Sequence, residues 1–218
     1  MKSRGERISC LTVYDYSFAH ILDQAGVEIL LVGDSLGMVI QGHETTLPVS
    51  MCNVLYHTQC VSRGCNSALV IADMPFGSYQ GSPQSAYENA ARLVGEGGAH
   101  MVKIEGGVVM AETVTFLVDR GIPVCGHIGL TPQSVNQLGG FRVQGREEST
   151  AEELRRDARN LEEAGASLLI LEAIPAQLAK GITDSVSIPT VGIGAGPDTD
   201  GQVLVLYDVL GLFPRKSP

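Results

Sequence analysis

The sequence has no apolar run that approaches the length of about 18–20 residues that a membrane-spanning helix needs. Its longest apolar stretches have the length of β-strands. No apolar signal-peptide core follows the first residues, so we expect no secretory signal. We therefore expect a cytoplasmic protein without a membrane partner.

Positive charge is also scarce. The chain carries 15 Lys and Arg residues against 24 Asp and Glu residues, which gives a formal net charge of −9. This balance argues against binding to nucleic acid or to an anionic membrane surface. It does not exclude small anionic ligands, because these respond to the local charge of a site.

The cysteines are few, odd in number and scattered. Five cysteines in 218 residues do not suit a disulfide scaffold and favour a reducing compartment. Cys52, His57, Cys60 and Cys65 lie close together, but the spacings C-x7-C and C-x4-C fit no paired zinc knuckle. Most of them also fall in one predicted helix, so we do not expect a zinc site there.

Short apolar runs alternate with longer amphipathic segments along the whole chain. The runs are nearly continuous in Val, Ile and Leu, which is typical of parallel strands covered on both faces. Such alternation predicts either an open doubly wound sheet or a closed (β/α)8 barrel, and eight runs favour the barrel as a single domain over residues 1–218. The eight predicted strands are residues 10–13, 28–32, 68–72, 99–104, 123–125, 167–171, 189–193 and 202–207.

Helix boundaries are also indicated. Ser82 followed by Pro83 predicts a helix start, and residues 149–153 contain two overlapping capping boxes. Glycines just before the next predicted strand indicate helix ends in the left-handed conformation. These glycines are Gly26, Gly64, Gly98, Gly121 and Gly165.

Polar residues recur where the predicted strands end. In a parallel barrel all these ends meet on one face, where barrel enzymes keep their active sites. Buried charge is costly unless it is paired or metal-bound, so packing alone does not explain so many charged residues there. The residues are Asp34, Ser35, Asp73, Lys103, Glu105, His127 and Glu172.

These residue types indicate a particular chemistry. Asp34, Asp73 and Glu105 are hard oxygen ligands of the kind Mg²⁺ prefers. Lys103 lies on the same side of its strand as Glu105 and could hold a carboxylate, stabilise an enolate or form a Schiff base. Glu172 follows four apolar residues, and burial among them would suit a general base.

Seven motifs in order, from about residue 8 to the end of the chain, resemble the ketopantoate hydroxymethyltransferase family. They are residues 12–17 (TVYDYS), 32–38 (VGDSLGM), 41–49 (QGHETTLPV), 72–79 (ADMPFGSY), 102–107 (VKIEGG), 125–133 (CGHIGLTPQ) and 191–196 (VGIGAG). The resemblance implies a (β/α)8 TIM barrel of the phosphoenolpyruvate/pyruvate superfamily. It also implies transfer of a one-carbon unit from 5,10-methylenetetrahydrofolate to 3-methyl-2-oxobutanoate, giving 2-dehydropantoate.

The resemblance further implies roles for individual residues. Asp34 and Glu105 would bind one Mg²⁺ per subunit, with Asp73 completing the metal and substrate site. Asp34, Ser35 and Lys103 would contact the ketoacid, and Glu172 would be the base. His127 is placed to bind substrate or to support its neighbours. The family forms large homo-oligomers, commonly decamers.

Two rival functions remain. One is another Mg²⁺-dependent α-ketoacid lyase or mutase of the same barrel, although the catalytic cysteine loop K-K-C-G-H of those enzymes is not found. The other is a non-catalytic ligand-binding paralogue. The length of 218 residues is short for a barrel that usually needs about 250, so we expect terminal helices to be missing from this chain.

Overall fold

The computed structural model describes residues 1–214, so the last residues of the segment that resembles the family lie outside the described range. Eight parallel strands form a closed barrel in the order β1 to β8. The predicted barrel is therefore confirmed. The strands are β1 (Ile8–Thr12), β2 (Ile29–Val32), β3 (Leu69–Asp73), β4 (Met101–Glu105), β5 (Val124–Gly129), β6 (Leu168–Glu172), β7 (Thr190–Ile193) and β8 (Gly201–Leu204).

Helices surround most of the barrel. Three short 3-10 helices, Lys2–Arg4, Val108–Met110 and Pro132–Ser134, add to them. Within residues 1–214, none of the helices combines the length and the apolar character required to cross a bilayer. The α-helices are α1 (Tyr16–Gln24), α2 (Leu36–Val39), α3 (Met51–Gly64), α4 (Pro83–Gly95), α5 (Ala111–Val118), α6 (Val135–Leu138), α7 (Glu148–Glu163), α8 (Ala176–Ser185) and α9 (Leu206–Val209).

The apolar side chains form two layers. The inner layer fills the barrel with side chains such as Ile29, Ile71 and Ile170. The outer layer lies between the strands and the helices and includes Leu30 and Leu161. Strands with apolar residues on both faces are what this arrangement requires, which explains the continuous apolar runs of the sequence.

The barrel departs from the regular alternation between β7 and β8. The connection, residues 194–200, contains no helix, so the alternation of strand and helix is interrupted here. Leu204 on β8 is 49% exposed because no helix of the described chain covers it. The connection is only seven residues long and rich in glycine and proline, which is too short for a covering helix.

The predicted helix boundaries are mostly confirmed. Ser82 caps α4 by accepting a hydrogen bond from the Ser85 N–H. The capping boxes at residues 149–153 are wrong, because α7 begins at Glu148 and the Thr150 hydroxyl donates to the Glu147 carbonyl instead. Four of the five glycines have positive φ: Gly26, Gly98, Gly121 and Gly165.

Gly64 is the exception among these glycines. It is the last residue of α3 and is absent from the positive-φ residues. A Cβ at this position would lie 2.5 Å from the Tyr16 carbonyl oxygen, so the glycine lets α1 and α3 approach each other closely. The sequence cannot distinguish this packing role from that of a helix end.

Candidate active site

The carboxyl ends of the strands surround a cavity of about 570 Å³. A second hollow, of about 670 Å³, lies beside Arg7 and Gly196, but its lining contains no carboxylate and no histidine, so we do not consider it a catalytic site. All predicted site residues line the first cavity: Asp34, Ser35, Asp73, Lys103, Glu105, His127 and Glu172.

Strand register brings these residues together in pairs. Asp73 on β3 lies opposite Lys103 on β4, and Glu105 on β4 lies opposite His127 on β5. Parallel strands therefore place polar side chains from successive strand ends in adjacent positions. Residues distant in the sequence become neighbours through this register.

Lys103 is the positive centre of the site. Its Nζ lies 2.9 Å from Asp73 Oδ1, 3.7 Å from Glu105 Oε1 and 3.1 Å from His127 Nδ1. Burial by itself would lower the pKa of Lys103, but the carboxylates of Asp73, Glu105 and Asp34 outweigh it and raise the pKa well above its usual value. The neighbouring carboxylates therefore favour the charged ammonium form of Lys103.

The carboxylates outnumber this single charge. Burial, followed by the negative charge of Asp73, raises the pKa of Asp34 to about 7. Burial likewise raises the pKa of Glu105. Asp73 is anchored on its other side, where Oδ2 accepts a hydrogen bond of 2.9 Å from the Asp34 N–H. Crowding of several carboxyl groups in a buried site favours binding of a cation, which would offset their mutual repulsion.

His127 connects Lys103 to Glu172. Burial, and then the charge of Lys103, lowers the pKa of His127, so its ring is neutral near pH 7. An ammonium can only donate, so His127 Nδ1 accepts from Lys103 and the ring proton lies on Nε2. That nitrogen is 3.1 Å from Glu172 Oε2. This distance places the Glu172 carboxylate beside His127 in the same cavity, although His127 Nε2 makes no hydrogen bond among the described residues.

The Glu172 side chain is more exposed than the four apolar residues before it in β6 predict. Its side chain is 22% exposed, whereas those of Lys103 and Glu105 are 5% and 3% exposed. The next residue, Ala173, has a φ of +46°, and its N–H donates to the Ile193 carbonyl at 2.8 Å. This turn in the backbone leaves the Glu172 carboxylate open to a ligand.

Ser35 is held by an aromatic hydroxyl. The Tyr14 hydroxyl lies 2.8 Å from Ser35 Oγ and donates to Thr12 Oγ1 at 3.0 Å. Burial raises the pKa of Tyr14, so its hydroxyl stays protonated. The contact fixes Ser35 at the rim of the cavity, beside Asp34.

The donor set suits a hard divalent cation. Glu105 Oε1 is buried and has no hydrogen-bond partner among residues 1–214. Asp34, Asp73 and Glu105 provide the oxygen chemistry that Mg²⁺ prefers. Within the same described range, however, no three His, Cys, Asp or Glu side chains form a group that could hold a metal ion, and Lys103 contacts two of the three carboxylates. The three-carboxylate ligand set thus stays a prediction.

The cysteine-rich helix α3 is not a zinc-binding segment by its contacts. No metal-binding group is found there among the described residues, and the five cysteines are free thiols. His57 contacts the Tyr14 carbonyl oxygen through Nδ1 at 2.6 Å instead.

Sequence reasoning missed two residues of this site. Gln133 and Tyr79 are 5% and 1% exposed, and both make hydrogen bonds with Glu105. Gln133 is the last residue of the family motif 125–133, and Tyr79 is the last residue of the family motif 72–79. Neither residue lies at the end of a strand. Their position in the loops that follow β5 and β3 hid them from a search for polar residues at strand ends.

Comparison with known proteins places the chain among its relatives. Residues 1–218 match the family model described as ketopantoate hydroxymethyltransferase. The chain belongs to the ketopantoate hydroxymethyltransferase family. It is 62% identical over 215 residues to the 3-methyl-2-oxobutanoate hydroxymethyltransferase of Thiobacillus denitrificans, covering 99% of this chain and 82% of that protein. The protein of the same name from Chromobacterium violaceum is also 62% identical, over 100% of this chain and 82% of its own length.

Solved structures with low sequence identity share the fold of this family member. A phosphonopyruvate hydrolase in complex with oxalate and Mg²⁺ has a TM-score of 0.72 at 13% identity, covering 96% of this chain and 79% of its own. A 2,3-dimethylmalate lyase of the PEP mutase/isocitrate lyase superfamily has a TM-score of 0.70 at 19% identity, with the same coverage. At this identity the likeness shows the barrel fold alone. Family membership makes the chain an enzyme of the transferase class.

Proposed function

We propose that this enzyme transfers a hydroxymethyl group from 5,10-methylenetetrahydrofolate to 3-methyl-2-oxobutanoate, giving 2-dehydropantoate for pantothenate biosynthesis. The observation that carries the proposal is that His127 lies between Lys103 and Glu172, with an ammonium and a carboxylate facing one cavity. A reaction that removes a proton next to a ketone needs this combination of base and positive charge.

The site residues have separate roles in the proposed reaction. Asp34, Ser35, Asp73 and Lys103 line the cavity and contact the ketoacid. Glu172 removes the proton from C3 of the substrate. Lys103 offsets the negative charge that develops on the enolate oxygen. The C3 carbon of the enolate then forms a bond to the methylene carbon of the folate co-substrate, one water supplies the hydroxyl oxygen, and both carbon–nitrogen bonds of the methylene group break. Tetrahydrofolate leaves with the proton taken from C3 and the second proton of that water.

A divalent cation completes this proposal. Asp34, Asp73 and Glu105 would hold one Mg²⁺. When bound, Mg²⁺ would act as a Lewis acid on the ketoacid. Glu105 Oε1, which has no hydrogen-bond partner among the described residues, and the raised pKa of Asp34 support this assignment. We further propose that the enzyme works in the cytoplasm as a homodecamer.

Exchange of the C3 proton isolates the proposed role of Glu172. Glu172→Gln should bind the ketoacid and Mg²⁺ but lose exchange of that proton with deuterated water, because the amide is not a base. NMR of the ketoacid measures the exchange without the folate. Glu153→Gln, on the exposed face of α7, is the matched control and should exchange normally. Normal exchange in Glu172→Gln would remove Glu172 as the base.

Product formation separates the rival functions. The purified protein should form 2-dehydropantoate from both substrates and lose this activity in a chelator. Cleavage or rearrangement of a ketoacid without folate would favour a lyase or mutase. Binding of both substrates without turnover would favour a non-catalytic paralogue.

A further inference from the structure

Gln133 is the most completely hydrogen-bonded side chain at the site, and the mechanism above does not use it. Its Oε1 accepts from the Tyr79 hydroxyl at 2.8 Å and from Gln80 Nε2 at 3.0 Å. Its Nε2 donates to Asp34 Oδ2 and to the Met74 carbonyl, both at 2.9 Å. All four bonding positions of the amide are therefore filled.

These partners fix the direction of the amide. A flipped amide would bring Oε1 against the Asp34 carboxylate and the Met74 carbonyl, which are both acceptors. It would also bring Nε2 against Gln80 Nε2, which is a donor. Only one orientation satisfies the contacts, and it directs a donor at Asp34.

Gln133 also reaches a second carboxylate through its backbone. Its N–H donates to Glu105 Oε2 at 3.0 Å, and the Tyr79 hydroxyl accepts from the Glu105 N–H at 3.0 Å. Asp34 follows β2 and Glu105 ends β4, so the strand β3 lies between them and no ladder hydrogen bond fixes their side chains relative to each other. Gln133, in the 3-10 helix Pro132–Ser134, contacts both.

We infer that Gln133 is a positioning residue that holds the carboxylates of Asp34 and Glu105 in place for a divalent cation. Two buried like charges repel each other and would otherwise turn apart. Gln133 engages one oxygen of each group, and Glu105 Oε1 remains without a hydrogen-bond partner in the described chain. The inference rests on the proposed function, because it assigns the arrangement to the cation of that site.

Binding of Mn²⁺, a hard cation visible by EPR, tests this role in the intact enzyme without substrates. Gln133→Met keeps the length of the side chain but removes its donor, so the dissociation constant for Mn²⁺ should rise about 10- to 100-fold, as for other residues that orient metal ligands. The exposed Gln80 contacts only the far side of the amide, so Gln80→Met is the matched control and should change the constant less than about twofold.

Tyr79→Phe is a second, milder variant that removes one hydroxyl oxygen. It keeps the inference testable if Gln133→Met does not fold. It should weaken Mn²⁺ binding by an intermediate factor, and the double variant Tyr79→Phe/Gln133→Met should lose less than the product of the two single effects. Thermal unfolding confirms that each variant is folded.

The outcomes separate this inference from the proposed function. Weaker Mn²⁺ binding in folded Gln133→Met or Tyr79→Phe, with Gln80→Met unchanged, supports the inference. Wild-type affinity in both folded variants overturns it and leaves the proposed function intact. Failure of the wild-type enzyme to bind Mn²⁺ would overturn the cation part of the proposed function and the inference with it.

Discussion

Asp23 and Asp34 are both buried aspartates, yet their surroundings change their pKa in opposite directions. Hydrogen bonds from the N–H groups of Ala68 and Ser67 lower the pKa of Asp23 to about 2. Burial and the neighbouring charge of Asp73 raise the pKa of Asp34 to about 7. Asp23 therefore stabilises the fold as an anion, whereas Asp34 is destabilising as an anion and is retained for the site.

The contribution of Asp23 to stability should depend on pH. Its folded pKa is lower than the ordinary value of about 3.9, so its stabilisation is complete above pH 4 and is lost as pH falls towards 2. Asp23→Ala should lower the free energy of unfolding by about 1.5–3 kcal/mol at pH 7 and by less at pH 3. Urea denaturation at both pH values measures the difference.

Asp198→Ala, at an exposed position, is the control and should change the stability little at either pH. An equal loss for Asp23→Ala at pH 7 and pH 3 would show that the charge of the carboxylate is not the source of its effect.

At the scale of elements, the end of β5 sets the position of the end of β6. Gly129 closes β5 with a φ of +95°, and the next residue, Leu130, donates its N–H to the Glu172 carbonyl at 2.8 Å. A Cβ on Gly129 would lie 2.2 Å from that carbonyl oxygen. Only glycine lets the two strand ends approach closely enough to place Glu172 beside His127.

Gly129→Ala should therefore damage both activity and stability. The added methyl group must displace the backbone of Glu172, and a shift of about 1 Å can reduce the rate of proton exchange about 100-fold. NMR exchange rates and thermal unfolding measure the two effects.

Gly121→Ala is the matched control for this change. Gly121 also has positive φ, +83°, but a Cβ there meets nothing within 4 Å. It should cost about 1–2 kcal/mol of stability through backbone strain and leave the exchange rate unchanged. Equal exchange rates for both variants would show that the position of Glu172 does not depend on Gly129.

At the scale of the whole molecule, the barrel depends on the seam between β1 and β8. Ile8 pairs with Gly201 there, and no helix of the described chain covers the seam between β7 and β8. The Lys2 ammonium strengthens this region by donating to the carbonyls of Thr183 and Ile188, both at 2.9 Å. Close packing of the β1 and β8 backbones at Ile8 and Gly201 therefore takes the place of helix packing in this part of the barrel.

Gly201→Ala should weaken the closure of the barrel. A Cβ at this position would lie 2.4 Å from the Ile8 carbonyl oxygen and 2.7 Å from its Cβ. We expect the free energy of unfolding to fall by about 1–3 kcal/mol in urea denaturation. Gly181→Ala, in the exposed part of α8 where a Cβ meets nothing, should instead raise it by about 0.5–1 kcal/mol. If Gly201→Ala leaves the free energy of unfolding unchanged, the backbones of β1 and β8 can move apart enough to accommodate the added methyl group.

The periodicity of the sequence by itself determined the strands, their parallel arrangement and the face on which the polar residues meet. Buried parallel strands need continuous apolar runs, and Asp34, Asp73, Glu105 and Glu172 stand out at their ends for that reason. This local signal is strong because a charge inside an apolar run is costly anywhere in a folded protein.

Only the tertiary structure decided the contacts between residues on different strands and loops. Gln133 is an ordinary loop residue in the sequence, and its four bonds exist because the loop after β5 folds over the ends of β2, β3 and β4. The tautomer of His127 and the missing helix between β7 and β8 likewise depend on partners far along the chain. Sequence patterns report burial along one segment, whereas these features arise from distances between segments that only the closed barrel sets.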